Sequence, residues 1–408
     1  MRAVLAGLVA MFAAWPAWAG IDAWTSLPSP GGGNATLINV IAASPANAST
    51  RYAATQAGIY VSRDGGQSWS RSNTGITPSP AGYYSVTDLA VAGSRLYITP
   101  SFLQKSIDGG ASWQRTGWVS ENPFALVLAA DPKNPDVVYA GANAGVYKSS
   151  DGAATWQYLS GTLTVSAITV DPGNPQVVFR AVSSGIFRST DAGKTWSQVS
   201  TQLTSVKTIV VDPKNSMNVY AGTNGAGVYK SSDGGNTWQA INRCMPQGRC
   251  APLTMDAVWV KSIIVDPGNP AIVYLGATEG LYRSTDGGAN WTEANNGPLG
   301  VNAMMLDPVN RDTVIGAWGG QLHSYTFGAP SDFDRIFNWA EAAYPQFFAP
   351  AGAQTQVVSG YNARYYAGTK VYLGEQGGQV VVYGDVFGGL LFVGTTADLL
   401  PLAAAAGY

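Results

Sequence analysis

One eight-residue pattern returns six times in the chain, and it constrains the possible fold more than any other feature. The pattern is Ser-x-Asp-x-Gly-x-(Ser/Thr)-Trp, and its first copy spans residues 62–69. Two copies deviate from it, with Ala153 in place of the glycine and Asn290 in place of the serine or threonine. The central aspartates are Asp64, Asp108, Asp151, Asp191, Asp233 and Asp286. Their spacing of 40 to 53 residues is typical of repeats in which one supersecondary unit stacks against its copies.

Each repeat unit is predicted to form four short antiparallel strands, which we call A to D. An Asp-Pro turn precedes most copies, as at Asp171-Pro172, and these two residue types suit the start of a type I turn. In that unit, strand A is predicted at 166–170, B at 177–180, C at 185–188, and D begins at Trp196. The eight-residue pattern then closes the hairpin between strands C and D. Four strands in about 40 residues are the size of one propeller blade.

The residue types of the pattern suit that hairpin turn. Asp and Ser/Thr side chains form hydrogen bonds within turns, and glycine provides a backbone conformation that residues with a Cβ atom disfavour. The tryptophan begins strand D, where its ring can be buried under the turn or against the next sheet. We therefore interpret the six aspartates as structural residues of the turns and not as catalytic groups.

These copies resemble the Asp-box (bacterial neuraminidase) repeat of sialidases, sortilin-type receptors, some xyloglucan hydrolases and photosystem II assembly factors. The resemblance extends from about Trp24 to Phe327 and implies an all-β propeller. It implies no single activity, because these families share the repeat and not the function. The xyloglucan hydrolases use two tandem propellers, whereas the assembly factors have a single seven-bladed ring and act as protein-binding scaffolds. In size and organisation the chain is most similar to the assembly factors.

The number of blades follows from the two ends of the repeat region. After the sixth copy, residues 301–308, 313–317 and 321–327 predict strands A, B and C of a further unit that has no strand D. Near the N-terminus, Trp24–Leu27 is typical of a strand D without a hairpin of its own. Joining this segment to the incomplete sheet would close the ring and remove its exposed edges. We therefore predict seven blades within residues 20–328.

The first residues have the features of an export signal. Arg2 precedes an apolar run at 3–14, and Ala17-Trp18-Ala19 matches a small-x-small cleavage site. An uncleaved signal anchor is the alternative. The apolar run is too short to span a bilayer, and no later stretch approaches the length of about 20 apolar residues that spanning needs. We predict a cleaved signal peptide at 1–19 and a periplasmic or secreted protein.

Composition limits the partners and cofactors. The formal charge of −2 gives no basic surface for nucleic acid. Cys244 and Cys250 are close in a loop that contains Pro and Gly, and an oxidising compartment predicts a local disulfide between them. Such a small loop would stabilise the fold by only about 2 kcal/mol. These cysteines and the single His323 are too few ligands for a metal site, so no metal or other cofactor is expected.

The repeat pattern ends near residue 328, and a small α+β domain is predicted at 329–408. Residues 331–348 have apolar side chains at helical spacing. Runs typical of strands follow at 363–366, 369–373 and 379–383. The segment is similar to short domains at the ends of other exported bacterial proteins, for which the resemblance implies no activity.

The candidate functional residues lie on the side of the ring opposite the Asp-box turns. This side has the B–C loops and the D–A connections, where propellers usually bind ligands. The candidate catalytic acids are Glu121, Asp256, Glu279 and Glu293, and the candidate ligand-binding aromatics are Tyr84, Trp118, Trp259 and Trp318. Exposed aromatics beside carboxylates suit sugar stacking and, at the right separation, glycoside hydrolysis. The alternative is that Trp259 and Trp318 pack between blades.

Two functions remain open at this stage. The first is a monomeric binding or scaffold module that takes a protein or glycan ligand on its loop-rich side. The alternative is a glycoside hydrolase, sialidase-like or xyloglucanase-like, acting on extracellular polysaccharide. The Phe/Tyr-Arg-Ile-Pro motif of sialidases is absent, and the similar string Arg335-Ile336-Phe337 lies in the predicted helix and lacks the proline. Two candidate carboxyls facing each other at about 5–10 Å across a groove would favour the enzyme.

Overall fold

The computed structural model describes most of residues 24–327 and five strands further on. The described residues of the first region are 24–33, 37–79, 81–100, 102–118, 124–242, 258–294 and 300–327. The predicted signal peptide, the Cys244–Cys250 pair and the predicted helix at 331–348 lie outside the described residues. The chain divides into two compact units, Met1–Thr326 and Phe327–Tyr408.

The described part of the first unit forms seven four-stranded antiparallel sheets, or blades. Strand β1 spans Trp24–Leu27, and a short 3-10 turn follows at Pro30–Gly33. Blade 1 contains β2 (Ile38–Ser44), β3 (Asn47–Thr55), β4 (Gly58–Ser62) and β5 (Ser70–Arg71). Blade 2 contains β6 (Leu89–Ala92), β7 (Arg95–Ile98), β8 (Gln104–Ser106) and β9 (Gln114–Arg115). Blade 3 contains β10 (Ala125–Asp131), β11 (Asn134–Ala142), β12 (Gly145–Ser149) and β13 (Gln157–Ser160).

The remaining blades follow the same order of strands. Blade 4 contains β14 (Val165–Val170), β15 (Val178–Val182), β16 (Gly185–Ser189) and β17 (Ser197–Ser200). Blade 5 contains β18 (Val206–Val211), β19 (Val219–Thr223), β20 (Val228–Ser231) and β21 (Gln239–Ala240). Blade 6 contains β22 (Val260–Val265), β23 (Val273–Ala277), β24 (Leu281–Ser284) and β25 (Thr292–Glu293). Blade 7 contains β26 (Ala303–Leu306), β27 (Thr313–Trp318), β28 (Gln321–Thr326) and β1.

Strand β1 closes the ring, as the sequence predicts. It pairs antiparallel with β28, so that Trp24 lies opposite Tyr325 and Leu27 lies opposite Leu322. The strand that begins the ring therefore completes the sheet that ends it. This pairing covers an edge of β28 that would otherwise expose unpaired backbone groups, and it confirms the seven-bladed prediction.

The innermost strands surround the axis of the ring. Each strand A contacts strand A of the next blade, from β2 through β6, β10, β14, β18 and β22 to β26, which contacts β2. Five of these strands have a β-bulge at their second residue, and the bulged residues are Asn39, Leu126, Ser166, Lys207 and Lys261. A bulge leaves one residue unpaired and turns its side chain away from the regular alternation. The bulged residues therefore leave the packed surface between blades.

The core consists of the layers between neighbouring blades. Strand B is buried along its whole length in blades 4, 5 and 6. Small residues on strand B allow the next blade to approach closely. A Cβ atom added to Gly141 in β11 would lie 2.6 Å from Cγ1 of Val165 at the start of β14. The sequence Ala-Gly in strand B thus sets the distance between blades 3 and 4.

The described part of the second unit is one five-stranded antiparallel sheet. Its strands are β29 (Gln354–Val358), β30 (Tyr361–Tyr366), β31 (Val371–Gln376), β32 (Gln379–Gly384) and β33 (Gly389–Thr395), in that spatial order. All three predicted strand segments overlap β30, β31 and β32. The described residues of this unit are all-β, and they give no support to the helical part of the predicted α+β domain. Within the described residues of the chain, no helix has the length and apolar character needed to cross a membrane.

Candidate functional site

The ring has two faces that differ in the loops they contain. The A–B turns and the Asp-box turns between C and D form one face, which we call the box face. The two kinds of turn are joined within a blade, as by the backbone bonds from Gly65 N to Ser49 O (2.8 Å) and from Gly152 N to Asp136 O (2.9 Å). The B–C loops and the D–A connections form the opposite face, which we call the loop face.

On the box face, the six Asp-box turns share one set of hydrogen bonds. The serine that ends strand C donates its hydroxyl to Asp Oδ1 at 2.7–2.8 Å. The same Asp Oδ1 accepts the backbone N–H four residues on at 2.8–2.9 Å. The serine oxygen accepts a third bond from the backbone at 2.7–2.8 Å. Each carboxylate is therefore engaged by its own turn.

These bonds also set the ionisation of the box aspartates. Hydrogen bonds from the hydroxyls of Ser68, Ser112, Thr195 and Thr237 lower the pKa of the corresponding aspartate to about 2 in each case, and the aspartates are Asp64, Asp108, Asp191 and Asp233. A carboxylate held in its charged form by several donors is a poor proton donor or acceptor near neutral pH. This chemistry agrees with the structural interpretation of the box aspartates.

Contacts between blades occupy much of the rest of the box face. The Tyr139 hydroxyl donates to Ala192 O of the next blade at 3.1 Å, and Tyr220 donates to Gly287 O at 3.0 Å. Arg51 of blade 1 donates to Asp307 of blade 7 at 2.7 Å, and both side chains are largely buried. The box face is thus a surface whose polar groups bind one another.

The loop face has a different composition. Most of the large apolar side chains that the structure exposes lie on it: Tyr83 (69% exposed), Phe124 (71%), Leu126 (36%), Leu163 (43%) and Trp259 (47%). Of the described acids of the propeller, only Asp88, Glu279 and Glu293 lie on this side. An exposed apolar cluster with few charges is typical of a site that binds a protein or an apolar ligand surface.

Trp259 is the most prominent aromatic of this face among the predicted candidates. It lies just before β22 and forms an isolated β-bridge with Asn224 in the B–C loop of blade 5. Its indole lies over Gly225, where an added Cβ atom would come within 3.2 Å of Nε1. Lys261 Nζ lies 5.4 Å from the ring centre, a distance that permits a cation–π contact. The ring is therefore held in place from below and is half exposed above.

Two other predicted aromatics are buried, which corrects their assignment as ligand-binding residues. Trp118 is 7% exposed and packs edge-on against Tyr147 and Trp156, with ring centres 5.0 and 5.1 Å apart. Trp318 is also 7% exposed and packs against Trp24 at 4.5 Å. Their rings fill space within and between blades, as the alternative interpretation of Trp318 states. A ligand on the surface has no access to them.

Tyr84 has an intermediate position. It packs against the core between blades 1 and 2, and its ring lies 5.2 Å below the Arg71 guanidinium. The neighbouring Tyr83 is the more exposed of the two. Sequence alone does not distinguish them, because the connection that contains both has no regular alternation.

Two of the four candidate catalytic acids lie within the described residues. Glu279 is in the B–C loop of blade 6 and Glu293 is in the outer strand β25 of the same blade. Glu293 lies near this loop, since a Cβ atom on Gly280 would lie 3.6 Å from Glu293 Oε1. Burial raises the pKa of Tyr282, and the charges of Glu293 and Glu279 raise it further. Both acids therefore lie on blade 6. Glu121 and Asp256 lie outside the described residues.

Sequence reasoning missed one acid of this face. Asp88, just before β6, accepts the Leu128 N–H of the next blade at 2.6 Å and the Leu89 N–H at 2.8 Å. Burial raises its pKa to about 6, although these two N–H groups act in the opposite direction. The only signal in the sequence is an aspartate directly before an apolar strand. Among the described residues, no group of three or more His, Cys, Asp and Glu side chains could hold a metal ion.

Comparison with known proteins supports the repeat and the fold. Residues 60–71 match the BNR/Asp-box repeat, and residues 184–297 match the sortilin (neurotensin receptor 3) family model. The chain therefore carries Asp-box repeats, as predicted. A search of curated proteins found no match.

Solved structures with the same fold include both enzymes and binding proteins. A GH74 xyloglucanase from Xanthomonas campestris is 18% identical with a TM-score of 0.59, and the match covers 74% of this chain and 53% of the enzyme. YCF48 bound to D1 peptide is 16% identical with a TM-score of 0.57, covering 78% of this chain and 99% of YCF48. YCF48 from Cyanidioschyzon merolae is 14% identical with a TM-score of 0.55. This chain thus spans about half of the xyloglucanase and nearly the whole of YCF48.

Proposed function

Because the chain is a seven-bladed propeller built from Asp-box repeats, we propose that it binds a polypeptide ligand through its loop face. The observation that carries the proposal is the concentration of exposed apolar side chains on that face. Phe124, Leu126 and Leu163 come from blades 2 to 4, and Trp259 comes from blade 6. A few well-placed aromatic anchors usually supply most of the binding energy of a protein interface.

The way in which the loop face is built supports this role. The bulge at Leu126 takes the side chain out of the packed surface, and Gly225 supports the Trp259 ring from below. An aromatic ring that is fixed before binding loses little conformational entropy when a ligand covers it. YCF48, which is similar to this chain over nearly its whole length, has been solved with a bound peptide. The match to the xyloglucanase covers only 53% of that enzyme.

The proposal is tested by panning a phage-displayed library of random peptides against the immobilised full chain. We expect enriched peptides whose binding weakens roughly tenfold or more in Trp259→Ala and Phe124→Ala. The matched control is Met217→Ala, because Met217 is a similarly exposed apolar residue (51%) on the box face. Peptides that bind all three variants equally, or a library that yields no binders, would contradict the proposal. If the chain instead binds a glycan array, and this binding also weakens in Trp259→Ala, the ligand of the loop face is a glycan and not a peptide.

Glycoside hydrolysis is the second candidate, and the observation in its favour is that the charges of Glu279 and Glu293 both act on Tyr282 of blade 6. In glycosidases, two carboxyls lie on either side of the scissile bond, whereas these two belong to a single blade. Incubation with xyloglucan followed by a reducing-end assay tests this function. Release of reducing ends that is lost in both Glu279→Gln and Glu293→Gln would establish the enzyme and displace the binding role.

We further propose that the protein is exported after cleavage at Ala19, and that Cys244 and Cys250 then form a disulfide. Both statements are supported by the sequence alone. Intact mass spectrometry of protein recovered from the periplasm or medium tests them together. A mature chain beginning at Gly20, with two hydrogens fewer than the reduced mass, is the expected result. A chain that retains Met1, or two thiols that react with iodoacetamide without reduction, would contradict the respective part.

A further inference from the structure

The box face has one cation whose environment differs from that of its equivalents. Five blades have a lysine or arginine as the penultimate residue of strand C: Lys105, Lys148, Arg188, Lys230 and Arg283. Four of them bind the next blade. Lys105, Lys148 and Lys230 donate to backbone oxygens of its Asp-box turn at 2.6–3.3 Å. Arg283 pairs with Asp312 at 3.2 Å.

Arg188 makes a weaker contact with the Asp-box turn of the next blade, and its guanidinium carbon lies 6.0 Å from the ring centre of Phe179. Its closest hydrogen bond is a long one, 3.5 Å from Nη1 to Asn236 Oδ1, and its buried Nε has no acceptor. Within the described part of the chain, no carboxylate lies within 4 Å of its guanidinium. Arg51 and Arg180 also have a buried Nε without an acceptor, but their guanidinium groups have shorter bonds elsewhere, such as that of Arg180 Nη1 to Ser160 O at 2.8 Å. The charge of Arg188 is therefore available to a ligand.

The guanidinium lies in an open cleft between blades 4 and 5. The cleft has a volume of about 180 Å³ and is lined by Arg188, Thr190, Thr195, Ser197, Val199 and Asn236. The guanidinium lies against Gly234 of the next blade, where an added Cβ atom would be 3.7 Å from both Nη atoms, an ordinary van der Waals distance. The hydroxyls of Thr190 and Ser197 form no hydrogen bond to another described residue. They are free to donate into the cleft.

We propose that this cleft is a binding site for a single oxyanion, a carboxylate or a sulfate group. A guanidinium presents up to five donors in a planar fork that fits the oxygens of either group, and the two hydroxyls add further donors. The acidic side chains nearby do not compete, because Asp191 and Asp233 use both carboxylate oxygens within their own turns. The site lies on the box face and is independent of the ligand proposed for the loop face.

The test is a titration of the ¹⁵N-labelled full chain with sodium sulfate and, separately, with sodium acetate at constant ionic strength. We expect the Arg188 Nε–Hε resonance and the amides of Thr190 and Asn236 to shift and reach saturation with at least one anion. Saturation with acetate alone assigns the site to carboxylates, as in acidic peptides or uronic acids. Saturation with sulfate alone assigns it to tetrahedral anions.

Two variants separate a defined site from general attraction of anions. Arg188→Gln removes the guanidinium, and Lys194→Gln removes the same charge from the same turn at a residue outside the cleft lining. We expect at least tenfold weaker binding at the Thr190 and Asn236 amides in Arg188→Gln and unchanged binding in Lys194→Gln, with both melting as the parent does. The proposal is overturned if neither anion saturates, if Arg188→Gln binds as the parent does, or if both variants lose binding equally.

Discussion

The two faces of the ring are built by the same seven sheets, yet their polar and apolar groups are used in opposite ways. On the box face, most carboxylates, hydroxyls and cations are bound to one another within turns and between blades, and the cleft around Arg188 is the exception. On the loop face, large apolar side chains are exposed and few charges are present. The difference teaches that the repeated motif secures the ring, whereas the connections without a motif are available for recognition.

The largest expected difference in stability between the two faces concerns two tryptophans of blade 6. Trp291, from the Asp-box, is fully buried and donates to Ile241 O of the preceding blade at 2.7 Å, whereas Trp259 on the loop face is half exposed. We expect Trp291→Ala to lower the free energy of unfolding by about 4 kcal/mol and Trp259→Ala by about 1 kcal/mol. Urea denaturation of both variants measures this. Equal losses would mean that the loop face is as much a part of the scaffold as the box face.

The second effect concerns ion pairs on the box face. Asp307→Asn leaves the buried Arg51 without its counter-charge at the junction of blades 7 and 1, and we expect a loss of about 3 kcal/mol. Asn keeps an oxygen for the turn N–H groups of Val309 and Asn310, so the turn itself is retained. Asp136→Asn is the control, because its pair with Arg95 is more exposed and is expected to be worth less than about 1 kcal/mol. Thermal denaturation that ranks the two variants in reverse order would contradict this account of ring closure.

The acids of the two faces should respond to pH with opposite sign. On the loop face, the pKa of Asp88 is raised from 3.8 to about 6. Its contribution to the free energy of unfolding is therefore fully present below about pH 4 and is lost as the pH rises through 6. Box aspartates such as Asp64 have a pKa of about 2. Their contribution to the free energy of unfolding is therefore present above about pH 4 and is lost as the pH falls through 2. The summed contribution of these two kinds of acid to the free energy of unfolding should therefore be greatest near pH 4.

The variant Asp88→Asn isolates the first of these two effects. We expect the ionisation of Asp88 to lower the free energy of unfolding of the parent by about 2 kcal/mol between pH 4 and pH 7. The variant has no carboxyl at this position and should not show this loss. Denaturant unfolding at a series of pH values measures the slope, which matters here more than the absolute stability. An unchanged slope in the variant would show that Asp88 ionises as an exposed aspartate does.

The sequence predicts the fold well and the loop face poorly, for physical reasons. The Asp-box identifies the C–D hairpin because only a few residue types suit that turn, and the unpaired segment at Trp24 identifies the closure. Burial on the loop face depends instead on contacts between distant segments. Trp118 and Trp259 both lie in D–A connections and are both followed by valine. In the structure, however, Trp118 packs against Tyr147, whereas Trp259 lies over Gly225.

The β-bulges are a second reason why the sequence predicts the loop face poorly. Alternation along strand β10 does not show that Leu126 leaves the packed surface, because one extra residue changes the side that each preceding residue faces. Asp88 was missed for a similar reason, since its raised pKa arises from burial beside blade 3 and not from its neighbours in the chain. The features that the sequence determines are local, and those that define the loop face are made by the assembled ring.

The smallest effect concerns the two turns of the box face in which alanine stands where the other copies have glycine. Ala153 and Ala192 have φ values of 64° and 59°, a left-handed conformation that costs an L-residue about 1 kcal/mol. Replacing either by glycine removes this strain but adds conformational entropy to the unfolded chain, so we expect a net gain of about 0.5 kcal/mol each. The control is Ala154→Gly, in the same turn as Ala153 but without a positive φ, which should destabilise slightly. If all three variants lose stability, the turns of the box face tolerate alanine without strain, and glycine in the other copies reflects close approach of the next blade.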